Sequence, residues 1–155
     1  MENEELVNTA SGEIEWGGEI SEDGSENIIL PEGDYNFEVT NFERGRFPGG
    51  AKLTPCNKAT LTVRVDTEDG SAFVKFDLLL HRSVEWKLSA FFRSIGQKKS
   101  GEKLVMDWNK VPFAKGRAHF KPRSYVDKNG ETKEVNDVAY FIDYDEKFFQ
   151  DDLPF

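Results

Sequence analysis

From Gly33 to about Phe42 the chain alternates apolar and polar residues, with Tyr35, Phe37 and Val39 on one side and Asn36, Glu38 and Thr40 on the other. A period of two sends one set to a core and the other to water, which predicts a half-buried β-strand. The alternation returns from about Ala59 to Thr67, where Ala59, Leu61, Val63 and Val65 oppose Lys58, Thr60, Thr62 and Arg64, and again from Ala72 to Leu80. Asp69-Gly70 between these two runs is a strong hairpin signal. The second and third strands therefore pair, and one shared face carries Thr62, Arg64, Phe73 and Lys75.

The period then changes. Leu88, Phe91, Phe92 and Ile95 recur at helical spacing, which predicts a helix over residues 83–95 with Ser83 as its cap, Glu85 in its first turn and Gly96 just past its end. Alternation resumes from about Pro112 to Val126, with Arg117, His119, Lys121, Arg123 and Tyr125 opposite Ala118 and Phe120. Gly116 marks a bulge or bend there, and Pro122 an edge or irregularity. Asn129-Gly130 supplies the next turn, and a fifth strand from Thr132 to Ile142 puts Val138, Tyr140 and Ile142 on one face. Three strands, a helix and two strands is the element order of an OB-fold, a five-stranded, partly open barrel. The expected fold is therefore mainly β, an OB-fold-like barrel over residues 33–142 with one helix between strands three and four.

Charge changes the picture of the flanks. The net charge of −9 is an average over unlike segments: −10 for residues 1–32, +5 for residues 33–142 and −4 for residues 143–155. A basic body thus sits between two acidic arms, a distribution that the whole-chain value hides. The first arm is poor in large apolar groups and reads as largely flexible, although Ile14 to Trp16 and Ile28 to Leu30 are short patches able to fold back on the body. Residues 143–155 are expected to leave the body as an acidic tail.

The single Cys56 has no internal partner, so the expected compartment is a reducing cytoplasm. No stretch resembles a signal peptide or a membrane span.

Cations and an aromatic on one open sheet face suit a single strand of nucleic acid, whose backbone wants a basic groove and whose bases want flat rings. Candidate phosphate contacts are Arg44, Arg46, Lys52, Arg64, Lys75, Lys121 and Arg123. The first three lie in or beside a Gly- and Pro-rich loop spanning Arg44 to Pro55. Candidate stacking residues are Phe47, Phe73, Trp108 and Tyr125, with a lid packed on the barrel as the competing role for Trp108.

The last five residues, Asp151-Asp152-Leu153-Pro154-Phe155, place two carboxylates before an apolar pair and an aromatic end. Such a stretch suits capture in an apolar pocket with a basic rim. It resembles the acidic C-terminal tip of bacterial single-stranded-DNA-binding proteins, which docks replication and repair enzymes. Gly33 to Phe42, the Gly-rich loop, Leu61 to Val65, the helix end from Phe91 to Gly96 and the Gly116–Phe120 strand are together similar to a family of phage-encoded proteins taken to bind single-stranded DNA. That resemblance implies an OB-fold, an acidic tail, single-stranded DNA and replication or recombination enzymes as partners, and a host bacterial cytoplasm. It does not cover residues 1–32.

Enzyme chemistry finds little footing. The glycines at 45, 49 and 50 lack the ending of a phosphate-binding P-loop. His81 and His119 have no partners at zinc-ligand spacing, and no cofactor is implied. Asp66, Glu68 and Asp69 would serve a nuclease, but acids are ordinary in a hairpin turn. Two other readings stay open: an acidic mimic of DNA acting through its arms, and a strand-annealing accessory protein.

Overall fold

A computed structural model describes residues 13–20 and 28–152, the last three by backbone alone. Five antiparallel strands form one sheet: β1 (Gly33–Phe47), β2 (Cys56–Thr67), β3 (Gly70–Leu79), β4 (Lys115–Val126) and β5 (Thr132–Ile142), in the order β3-β2-β1-β4-β5. One helix, α1 (Glu85–Ser94), lies between β3 and β4 in sequence. No helix among the described residues is long and apolar enough to cross a membrane.

β1 is shared between two neighbours. Its first half, Gly33 to Glu38, pairs with β4, and Glu38 to Phe47 pairs with β2, with a register shift between Val39 and Asn41 at the changeover. The inner face collects Phe37, Val39, Leu61, Val63, Val74, Ala118 and Phe120, and α1 covers it with Leu88, Phe91 and Phe92. These are the alternating and helical apolar sets, so burial of both periodicities against each other makes the core.

The expected mainly β chain of five strands and one helix is present, but for the OB-fold-like, partly open barrel the ladders stop at a single sheet: among the described residues no backbone ladder joins β3 to β5. The seam is filled by rings instead: Phe76 of β3 lies 5.5 Å from Phe141 of β5, and Phe91 packs edge-on against both. Side chains hold the two edges together where hydrogen bonds do not.

Three local expectations are corrected, while Pro122 does lie at an edge. Gly116 is in regular register with Phe37 rather than in a bulge. A Cβ there would stand 2.6 Å from the Phe37 ring and 2.8 Å from the Ser94 carbonyl, so glycine serves the close approach of α1 to β4. The bulge of this hairpin lies at Ala139, between the His119–Tyr140 and Phe120–Val138 pairs, and it turns Tyr140 and Ile142 to the outer face while Val138 stays with the core. Pro122 sits where β4 has run past the start of β1 and pairs with β5 alone, so its missing N–H leaves no gap in a ladder. His81, not Ser83, caps the start of the helical segment: its Nδ1 accepts from the Ser83 N–H at 3.1 Å, ahead of a 3-10 turn over Arg82–Val84.

Both flanks engage the body. Leu30 is buried, and the Asn136 side chain clips the arm in both directions, accepting from the Leu30 N–H and donating to the Ile28 carbonyl, each at 2.8 Å. Ile14 and Trp16 stay exposed. On the other flank, residues expected to depart turn back: the Tyr144 N–H donates to the Arg93 carbonyl and Asp143 pairs with the Arg93 guanidinium at 2.9 Å. Tyr144 packs over Gly96, whose φ of +79° ends α1 in the left-handed conformation glycine favours. A 3-10 segment follows over Glu146–Asp152.

Candidate nucleic-acid interface

The β2–β3 register sets Thr62 opposite Lys75 and Arg64 opposite Phe73, so these four share the outer face. The rows continue onto β1, where Asn41 pairs with Thr62 and Glu38 with Arg64, and from Glu38 to Lys115 of β4. Phe73 is 46% exposed and Lys75 is exposed. Arg64 is held more tightly: its Nη2 donates to Glu38 Oε1 at 3.0 Å, and its Nε approaches Asp66 Oδ1 at 3.2 Å without hydrogen-bond alignment.

A second group stands on the ribbon formed by the end of β1 and the start of β2. Arg44 pairs in register with core-facing Ala59 and lays its guanidinium 5.6 Å over Phe42. Arg46 donates to Asn57 Oδ1 at 3.1 Å. By alternation, both arginines project from the side opposite Phe73 and Lys75. Phe47 is half-buried opposite Cys56, and Lys52 is exposed in the loop. The arginines and the β2–β3 patch therefore flank the sheet from two sides rather than forming one continuous surface.

The third group lies on the β4–β5 hairpin, where Lys121, Arg123 and Tyr125 are exposed. Arg123 pairs with Asp137 at 3.0 Å, and Tyr125 stands opposite Lys133. Among the described residues Arg44, Arg46, Lys52, Lys75 and Lys121 make no ion pair, while Arg64 and Arg123 come with carboxylates.

Trp108 is corrected as a stacking candidate. It is 9% exposed, with Phe42 stacked on it at 5.2 Å and Phe92 edge-on at 5.1 Å. Its indole is a lid on the core, and a base has no open face to meet.

Two features of the outer face went unread in the sequence. His119 is stacked on Tyr140 with ring centroids 4.8 Å apart, and its two ring nitrogens face Asp34 at 2.7 Å and Glu32 at 3.0 Å. Hydrogen bonding to Glu32, then to Asp34, raises the His119 pKa, and the same contact with His119 lowers that of Glu32. Both nitrogens donate when the ring is charged, so the group is an ion triad. Tyr140, 57% exposed, was hidden by the Ala139 bulge, which no residue type announces.

The other feature is the returning flank. The Asn36 side-chain amide donates to the Phe148 carbonyl at 2.6 Å and accepts from Arg117 at 2.9 Å, while Tyr144 stacks on Phe149 at 5.2 Å. Phe148 thus lies on the β1–β4 part of the face whose β2–β3 part carries Phe73 and Lys75, while Asp143 and Tyr144 are held at the end of α1. The docking stretch lies beyond: Leu153, Pro154 and Phe155 are outside the described residues, as are the side chains of Asp151 and Asp152.

A cavity of about 830 Å³, lined by Leu80, Leu88, Phe92, Lys98, Lys103 and Met106 among others, lies beside α1 and shares no residue with the candidate set. No protein-family model matches the chain, and no curated protein matches it.

Proposed function

We propose that the chain coats single-stranded DNA without sequence preference, in replication, recombination or repair, and recruits partner enzymes through Asp151–Phe155. The observation that carries this reading is the exposed Phe73 beside Lys75, which makes no ion pair among the described residues, on the β2–β3 face. A base stacks on the one and a phosphate meets the other, and stacking contributes about 1–3 kcal/mol per base. Strand order and the position of α1 support an OB-fold-like reading, in which Phe76, Phe91 and Phe141 fill the β3–β5 seam that carries no ladder among the described residues, and in an OB-fold the strand-two and strand-three face binds oligonucleotides. On this reading the protein is a binder rather than a catalyst, phage-encoded and at work in the host cytoplasm.

Anisotropy titration of a labelled oligo-dT of about 30 nucleotides at several salt concentrations, with duplex as competitor, tests it. Neutralising about four to six phosphates gives a log–log salt slope of roughly −3 to −4. A slope near zero, or equal competition by duplex, sinks the reading. Deleting Asp151–Phe155 is expected to leave oligomer affinity unchanged or raised while partner capture is lost; a marked loss of affinity would refute that division of labour.

One observation favours a second reading, the acidic DNA mimic. Carboxylates of Glu38, Asp66 and Asp137 already occupy cations of the candidate face. Absence of oligomer binding at low salt would promote it.

A further inference from the structure

Phe113 is the only non-glycine with positive φ among the described residues, at 69°. For a bulky L-residue this conformation is an outlier, and glycine or asparagine adopts it at far lower cost. The surroundings over-determine it. The Phe113 N–H donates to the Val39 carbonyl at 2.8 Å, the Val39 N–H donates to the Ala114 carbonyl at 2.9 Å, and the Ala114 N–H donates to the Val111 carbonyl at 3.1 Å. Val39 and Val111 are themselves buried.

Little of the ring is covered in return. It is 75% exposed and takes part in no ring–ring contact among the described residues. A latch that strains the backbone and holds a large aromatic in water is what a site looks like before its ligand arrives.

Its place in the sheet says which ligand. Phe113 continues the β1–β4 ladder past the Glu38–Lys115 pair, beside the β1 register shift at Thr40. Across the strands from that point run Asn41, Thr62 and Lys75, and Phe73 stands one row over. Neighbouring strands are about 4.8 Å apart, so the backbone of Phe113 lies about three strand spacings from that of Phe73, with the polar strip of Asn41, Thr62 and Lys75 alongside. An apolar protein partner would want an apolar centre between two aromatic anchors. A polar strip with a cation suits a chain whose bases reach the rings while its backbone crosses between them.

We propose that Phe113 is a second stacking platform, receiving a base of single-stranded DNA at the end of the strip opposite Phe73. This rests on the single-strand reading above and extends it. The strained backbone keeps the ring presented, so that little ordering is left for the moment of binding.

The test uses the full chain, the labelled oligo-dT and two variants, Phe113→Gly and Phe113→Asn, both compatible with positive φ. Relief of strain without loss of a packed ring leaves the melting temperature equal to or above that of the parent. Oligomer affinity is expected to fall about 5- to 150-fold, with the salt slope unchanged because no phosphate contact is removed. Phe113→Tyr is expected to retain parental affinity. If the parent binds and both variants bind equally well, the platform is refuted and the single-strand reading stands. If the parent does not bind, both fall. A melting temperature well below the parent's in both variants would make the ring structural and overturn the proposal, and so would loss of affinity with a shallower slope.

Discussion

Arg117 lays its guanidinium 4.7 Å over the ring of Phe148, a cation–π pair that fastens the returning flank to the outer face of β4. Such a pair at an exposed site contributes about 0.5–1 kcal/mol. Phe148→Ala is therefore expected to lower stability by about that amount and to speed hydrogen exchange from Tyr144 to Phe149. It also uncovers Arg117 beside the candidate face, so oligo-dT affinity should stay level or rise. A fall in affinity at unchanged stability would mean that the flank builds the face rather than covering it.

Lys75 and Glu38 pull binding in opposite directions. Lys75→Ala removes one phosphate contact, which makes the log–log salt slope shallower by about 0.7. Glu38→Gln removes a carboxylate from Arg64 and is expected to raise affinity, at a cost of less than about 1 kcal/mol of stability, because the pair is partly exposed. Parallel titrations of the two variants decide the matter; affinity unmoved by either would remove the β2–β3 patch from the interface.

Gly116 leaves no room for a side chain. The Phe37 ring it faces is buried and the Ser94 carbonyl belongs to the backbone of α1, so neither can withdraw cheaply. Gly116→Ala is expected to destabilise by about 1–3 kcal/mol, read as a lower denaturant midpoint at constant m-value. A midpoint equal to the parent's would contradict the packing described.

The ion triad predicts a pH profile. Glu32 and Asp34 raise the folded-state pKa of His119 above 6.5, so its contribution is full below that value and is lost as pH climbs through the raised one. Glu32, lowered from 4.5, contributes above that value and loses its share as pH falls through the lowered one. The advantage of the parent over His119→Gln in melting temperature should therefore be greatest between about pH 4.5 and 6.5 and shrink at alkaline pH. A difference that is flat across pH 4 to 9 would show that the ring's stacking on Tyr140, not its charge, is what matters.

Most of the fold was legible because it is written in local periods. Alternation around Leu61, Val63 and Val65 and helical spacing from Leu88 to Ile95 name the inward faces without knowledge of the partner. The turn between β2 and β3 was located to within a residue: Thr67 pairs with Gly70, so Glu68 and Asp69 form the loop rather than Asp69-Gly70. What escaped depends on register across distant strands. The ion pairs of Arg64 and Arg123 reach Glu38 and Asp137, which only strand pairing brings close. A bulge at Ala139 reverses the side on which Tyr140 emerges, and the signal is a ladder offset, not a residue type. Phe113 was invisible for another reason: its peculiarity is a backbone angle imposed by Val39, and phenylalanine is not a residue that advertises such an angle.

The division of β1 between two neighbours orders the assembly of the protein in time. The β1–β2–β3 meander joins segments close in sequence, whereas Gly33 to Glu38 must wait for a strand that emerges after α1 and the loop that follows it. Closing that long loop is the slow, entropically costly step. Substitutions in the β2–β3 hairpin are accordingly expected to change the folding rate, and those in β4 chiefly the unfolding rate; the reverse pattern in stopped-flow kinetics would contradict this order. The latch between Val39 and Phe113 belongs to that later-closing seam, so on this order a chain still being synthesised is expected to hold the β2–β3 hairpin before Phe113 is fixed in place.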